Sequence, residues 1–175
     1  MTSPIFTPAD PIQDRSRLLD LNTEYMTWNS VEVEKAMGIK IADLVGMPIP
    51  DYVASVIDKV CGAPPPEGIF YLVECEGQLA AMGGMRRVRK GFCELKRVYV
   101  RPAFRGRQLG QTIIQRLLDD AVAFGYDHAL LDSAPFMASA HRLYRAAGFT
   151  DCAAYPEAEV PVALHRGWCF MGRAL

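Results

Sequence analysis

Residues Arg105-Gly106-Arg107-Gln108-Leu109-Gly110 place two guanidinium groups and two glycines in one short turn. The residues before it alternate as a strand does, and those after it repeat as a helix does. The first backbone N–H groups of a helix lack internal partners, and the helix dipole makes that end attractive to an anion. Gly106 lets the chain bend, and Gly110 leaves room for close approach. Arg105 and Arg107 add charge-assisted hydrogen bonds. The chemistry this suggests is the grip of a phosphate, most naturally a pyrophosphate, on the amides of Gln108, Leu109, Gly110 and Gln111. A solvated basic turn that only links two elements is the simpler alternative.

The flanking elements must position that turn. Leu95, Val98, Tyr99 and Val100 read as a strand over 93–100, which Pro102 ends because it has no N–H for a ladder. Leu109, Ile113, Ile114, Leu117, Leu118, Ala121 and Phe124 form one helical stripe that stops at Gly125. Upstream, 69–75 and 78–87 read as two strands joined at Glu76-Gly77, with Gly83-Gly84 marking a bulge or a close backbone approach. Three antiparallel strands therefore precede the helix. The strand over 127–132 follows the helix and should run parallel to 93–100. A helix over 136–147 then precedes closing strands at 149–154 and 168–173.

At the front, 4–7 reads as a short strand. Asp10, Pro11 and Gln13 form a helix start with a capping box. Leu18, Leu21, Tyr25 and Trp28 follow at helical spacing, and the helix is expected to end near Asn29 or Ser30. Tyr25 and Trp28 then sit near its end, as packing residues or as walls of an acceptor pocket. Residues 31–66 are the least regular, with a short helix after Asp51 and a stiff Ala63-Pro64-Pro65-Pro66 linker. The long proline-bearing loop 155–167 is a candidate binding loop.

The 175 residues are of a length for one domain. Half are hydrophobic, 22% are charged and the net charge is −1. Residues 86–107 nevertheless hold nine Arg or Lys against Glu94 alone, while residues 1–85 hold twelve acids against five bases. A local basic stripe on a near-neutral chain points to a small polyanion rather than a nucleic acid. Only Phe92, Tyr99 and Phe104 interleave with it as stacking residues. The five cysteines show no metal spacing and no disulfide framework, which suits a cytoplasmic protein, and no metal is expected. The N-terminus lacks the pattern of a signal peptide, and no apolar run is long enough to span a bilayer.

Taken together, these residues resemble the GNAT-type N-acetyltransferases. The turn 105–110 is similar to that family's Arg/Gln-x-x-Gly-x-Gly/Ala signature, departing at Gln108, where the family has glycine. Leu143-Tyr144-x-x-x-Gly148-Phe149 is similar to the ending of its second motif. Met137 stands where many members carry an asparagine. The order of elements over 69–175 also matches. The resemblance implies an α/β (α+β) fold: a mixed, mostly antiparallel sheet with a splayed parallel strand pair, flanked by helices. It implies a single domain with a variable acceptor-side region (1–66), a cofactor-binding core (69–154) and a closing loop and strand (155–175).

The resemblance further implies an acetyl-CoA-dependent transfer to an amine by direct attack. Backbone groups of Val98 and Val100 would pair with the pantetheine arm as an added strand. Residues 105–111 would hold the pyrophosphate, with Gln108 offering its N–H from a helical conformation. Tyr144 would protonate the departing thiolate. Glu94, four residues before Val98 and so expected on the same sheet face, is the first choice as base, with Asp132 second. Glu94 could instead pair with Lys96 or Arg97, and Asp132 could cap the turn at 133–135. His141 is expected to be solvated. The acceptor is a small-molecule amine or, second, a peptide N-terminus, and the acidic first half would favour a cationic one. A non-catalytic acyl-CoA-binding domain is the remaining alternative, and family edge strands leave room for a homodimer.

Overall fold

A computed structural model describes residues 3–175. Its elements follow the chain as β1 (Ile5–Pro8), α1 (Arg15–Met37), α2 (Ile41–Val45), α3 (Ile49–Cys61), β2 (Gly68–Cys75), β3 (Gln78–Arg89), β4 (Phe92–Val100), α4 (Leu109–Ala123), β5 (His128–Ser133), α5 (Ala138–Ala146), β6 (Thr150–Asp151) and β7 (Cys169–Ala174). The strands form one seven-stranded sheet in the order β1-β2-β3-β4-β5-β7-β6. Every neighbouring pair is antiparallel except β4 and β5, which run parallel.

Helices cover both faces. On one, Ile113, Leu117 and Ala121 of α4 and Tyr144 of α5 pack against Tyr71, Val73, Ala81, Leu95, Ala129 and Leu131. On the other, Leu18, Leu21 and Val33 of α1 and Val53 and Ile57 of α3 pack against Phe70, Leu72, Met82 and Tyr99. Each such buried Val, Leu or Ile side chain contributes about 1.5–3 kcal/mol.

The front helix departs from expectation. Asp10 Oδ1 accepts the N–H groups of Ile12 and Gln13, both at 2.8 Å. The reciprocal bond to the Asp10 N–H comes from Asp14 at 3.0 Å, not from Gln13. Helix α1 then runs on past Ser30 to Met37 and ends at Gly38 in the left-handed region. Asn22 and Asn29 occupy core-facing positions in its buried stripe, and these polar residues hid the continuing period. Tyr25 and Trp28 are therefore mid-helix. Near the C-terminus, the strand expected at 149–154 is only Thr150–Asp151.

Strand β4 contains the irregularity that shapes the site. Lys96 pairs with Gly84 and Tyr99 with Met82, so Arg97 and Val98 together face Gly83. Arg97 takes φ +55° to make this bulge. The extra residue shifts the alternation by one: Cys93, Leu95, Val98 and Val100 pack on the α4 side, while Tyr99 joins the α1 side. Glu94 and Val98 therefore lie on opposite faces, which corrects the period-two expectation. The partner strand supports the bulge with its glycines. A Cβ on Gly83 would come within 2.6 Å of Ile113 Cγ2, and one on Gly84 within 2.8 Å of the Ile69 carbonyl oxygen.

Candidate active site

The bulge is followed by a split in the sheet. β4 and β5 pair only through Phe92, Cys93 and Glu94, opposite His128, Ala129 and Leu130. Beyond that point Leu131, Asp132 and Ser133 continue to pair with β7 alone. Residues 95–100 thus leave one edge of β4 unpaired. The Arg101 N–H bonds to the Ala80 carbonyl of β3 at 2.9 Å. Strand alternation then turns the backbone groups of Val98 and Val100 away from β3, into the split. The Val100 carbonyl accepts Arg105 Nε at 3.2 Å.

The turn 105–110 lies at the mouth of the split. No side chain caps α4, and its first helical bond runs from Thr112 N–H to the Gln108 carbonyl at 3.0 Å. The amides of Leu109, Gly110 and Gln111 are thus left as free donors. Gln108 adopts φ +62°, ψ +10°, in the left-handed region rather than the expected helical one. Such a residue without the freedom of glycine is strained by about 1–2 kcal/mol. Gly106 also has positive φ, with open space around it. At Gly110 a Cβ would meet Leu143 Cδ1 at 3.0 Å, so the missing side chain here makes room for α5. The Arg105 guanidinium lies 5.9 Å from the Trp28 ring centroid. Arg107 reaches Glu76 at 3.3 Å. Free amides beside two exposed arginines suit a pyrophosphate, and an unpaired strand edge suits an extended amide-bearing arm. The residues present therefore fit coenzyme A.

Deeper in the split, Tyr144 is buried with its ring edge-on to Phe149, and its hydroxyl makes no hydrogen bond to another described residue. Burial, with the nearby Tyr25 and Asp132, pushes its pKa well above the ordinary tyrosine range, so it stays protonated. Asp132 accepts the Trp168 indole N–H at 3.0 Å, and this bond takes the place of the expected turn cap. Burial raises the Asp132 pKa; Trp168 and Lys96 only partly oppose the rise. Tyr25 is likewise pushed up to about 12 by burial. Its ring lies 5.5 Å from Tyr99 and 6.2 Å from Trp28, and Trp28 is 5.8 Å from Phe136. The structure thus brings Tyr25, Asp132 and Tyr144 within electrostatic reach of one another, while Trp28 packs on Tyr25 and lies toward Arg105 at the mouth.

Glu94 is placed differently. It is fully buried, accepts Tyr155 Oη at 2.7 Å and Arg86 Nη2 at 3.3 Å, and forms an ion pair with Lys96 Nζ at 3.4 Å. Glu159 extends this cluster to Lys96 at 2.7 Å, to Arg86 at 3.1 Å and to Lys59, fastening the 155–167 loop over the sheet. His141, expected in solvent, is buried and lies 3.1 Å from Ser133 Oγ. Glu94 pairs with Lys96 and not with Arg97, the other partner weighed for it, and Tyr155, Glu159 and Trp168 carry no motif that marks them individually. Tyr155 and Trp168 bound the loop that was singled out, whereas the Arg97 bulge had no local signature. A surface depression of about 730 Å³ lies on the solvent flank of α1 and meets this site only at Trp28. Among the described residues no group of three His, Cys, Asp or Glu side chains could hold a metal ion, and no helix is long and apolar enough to cross a membrane.

Residues 43–149 match the acetyltransferase (GNAT) family, and the chain belongs to that family. An IAA acetyltransferase of Azospirillum brasilense is 39% identical over 61 residues, which are 35% of this chain and 40% of that one. The chain spans between 27% and 52% of the length of the curated relatives it matches. Among solved structures, an acetyltransferase from Streptococcus agalactiae superposes with a TM-score of 0.72 at 16% identity, covering 100% of both chains. The PaiA N-acetyltransferase from Thermoplasma acidophilum, in complex with coenzyme A, gives 0.68 at 14% identity over 99% of this chain and 100% of that one. These two are likenesses of fold.

Proposed function

We propose that this protein transfers an acetyl group from acetyl-CoA to the primary amine of a small molecule, by direct attack and without a covalent enzyme intermediate. The observation that carries the reading is the split itself. One end presents uncapped α4 amides beside Arg105 and Arg107, and the other the buried Tyr144, within electrostatic reach of Tyr25 and Asp132.

Acetyl-CoA, when bound, supplies the thioester. Amides of Gln108, Leu109, Gly110 and Gln111, with Arg105 and Arg107, hold the pyrophosphate, Gly106 permitting the turn. Val98 and Val100 pair with the pantetheine arm as a neighbouring strand would. Asp132, whose raised pKa makes it a stronger base than an ordinary aspartate, takes the proton of the incoming ammonium. Tyr144 gives a proton to the departing thiolate and takes one back from the acylated nitrogen, so of the two protons the ammonium loses, one leaves through Asp132 to solvent and the other ends on the CoA thiol. Tyr25 and Trp28 wall the acceptor side. Glu94, sealed among three partners, orders Tyr155 and the loop rather than meeting the amine. The five free cysteines favour a cytoplasmic setting.

Calorimetric titration with acetyl-CoA, CoA and a short DNA duplex tests this. Binding of acetyl-CoA without binding of DNA, followed by amine-dependent release of free thiol, is the expected result. Acetyl-CoA binding without turnover on any small amine or peptide N-terminus would reduce the protein to an acyl-CoA-binding domain. No binding would remove the reading.

A further inference from the structure

Arg97 is the residue that the bulge turns out of the regular alternation, and it pairs with no carboxylate among the described residues. Its guanidinium lies 5.6 Å from the Tyr25 ring centroid. Its Nη1 is sealed from solvent and has no hydrogen-bond partner; Asn29 Oδ1, one turn beyond Tyr25 on α1, is the other such atom among the described residues. A guanidinium N–H sealed from solvent without an acceptor is costly even on a half-buried side chain, and so is a positive φ on a residue with a side chain. Both features occur at one residue, beside the split, and bulges are a common means of re-aiming a side chain next to an active site.

The surroundings specify what would satisfy it. The charge of Arg97 reaches both Tyr25 and Asp132. The walls there are aromatic: Tyr25, Trp28 and Trp168. Of the acids in the first half that would favour a cationic acceptor, Asp20 and Glu24 on α1 are engaged, binding Arg101 at 2.6 and 2.9 Å, and Glu24 also accepts from Tyr99 at 2.9 Å. The polar demand left on the acceptor side is thus for an anion at Arg97, beside a base at Asp132.

We propose that the acceptor is an α-amino acid, whose carboxylate is held by the Arg97 guanidinium while its amine faces Asp132 and Tyr144. This deepens the acetyltransferase reading and rests on it. A planar guanidinium binds a carboxylate through two parallel hydrogen bonds, which fixes the orientation of the amine as well as its presence.

The test is a binding panel by calorimetry, with each common L-amino acid set against the amine left when its carboxyl group is removed, and acetyl-CoA titrated separately. At least one amino acid is expected to bind the wild-type protein about tenfold or more tightly than its amine, a difference typical of one good charged contact. In Arg97→Asn, whose side chain tolerates positive φ, that preference should disappear while acetyl-CoA binds as before. If Arg97→Asn fails to fold, Arg97→Lys is read instead, and it should lose most of the preference because an ammonium cannot form the fork. If no amino acid outbinds its amine, or if the preference survives both substitutions, the proposal is overturned. A preserved amino-acid preference in a protein that does not bind acetyl-CoA would leave the anion site standing and remove the transferase reading instead.

Discussion

Glu94 and Val98 stand four residues apart on β4 yet lie on opposite faces of the sheet, because Arg97 inserts an extra residue between them. The carboxylate therefore belongs to the ion cluster under the 155–167 loop and not to the α4 side. Removing it in Glu94→Ala leaves Arg86 and Lys96 to share Glu159 alone and the Tyr155 hydroxyl without its acceptor. Breaking a buried ion cluster in this way costs about 3–5 kcal/mol. We expect a large fall in urea midpoint, with turnover per folded molecule changed only a few-fold. A loss of turnover beyond about a hundredfold at unchanged stability would make Glu94 the base after all.

Tyr144→Phe removes one hydroxyl from the buried end of the split and keeps the ring that packs on Phe149. General acid assistance is worth about 10²–10⁴ in rate. Turnover should drop by that order, while the calorimetric affinity for acetyl-CoA stays within about threefold. Equal losses in both would assign the residue to packing.

Asp132→Asn separates catalysis from stability. Burial holds the Asp132 pKa above its ordinary value in the folded protein. An ionised Asp132 therefore opposes folding: the penalty is absent below the unfolded-state pKa near ~3.9, grows as pH rises and is complete above the folded value. The asparagine variant should melt higher than the wild type at neutral pH and match it in acid. Its turnover should be lower, and the acid limb of the wild-type pH–rate profile, where activity falls as Asp132 protonates, should vanish.

Much of this arrangement was legible in the chain. The α4 stripe, the Gly83-Gly84 anomaly and the 105–110 turn are local patterns, and local patterns survive in a sequence. The Arg97 bulge was not legible, because it is decided by register against β3 and no residue at 95–99 announces a positive φ. The Asn22 and Asn29 positions misled in the opposite direction, since buried polar residues interrupt an apolar period without ending the helix. The Glu94–Tyr155 and Asp132–Trp168 bonds join residues tens of positions apart, and only the folded topology brings them together.

Glu159 supplies an acid-sensitive fastening. Burial pushes its pKa up, but Lys96, Lys59 and Arg86 outweigh that and hold it at about 2. Its contribution to stability is present above the ordinary carboxyl value and is lost as pH falls toward about 2. Glu159→Gln should cost on the order of 1–3 kcal/mol at neutral pH. Limited proteolysis within 155–167 should quicken in the variant at pH 7 and in the wild type only in acid. An unchanged cleavage rate in the variant would show that the loop is held by other contacts.

Gln108 carries a strain that a single substitution can release. Its side chain is exposed and its backbone sits at φ +62°, where glycine is at ease. Gln108→Gly relieves about 1–2 kcal/mol of left-handed strain and gives back about 0.4–1 kcal/mol in unfolded-chain entropy. The net effect should be a modest rise in melting temperature. Gln108→Val, which is β-branched at the same φ, should melt lower than the wild type. The 108 amide is present in all three proteins, but only the valine variant is under pressure to move it. Acetyl-CoA affinity should therefore hold or improve in the glycine variant and weaken in the valine variant. Equal affinities across the series, with the melting temperatures ordered as expected, would place the pyrophosphate contacts on Leu109, Gly110 and Gln111 and leave Gln108 as a turn residue only.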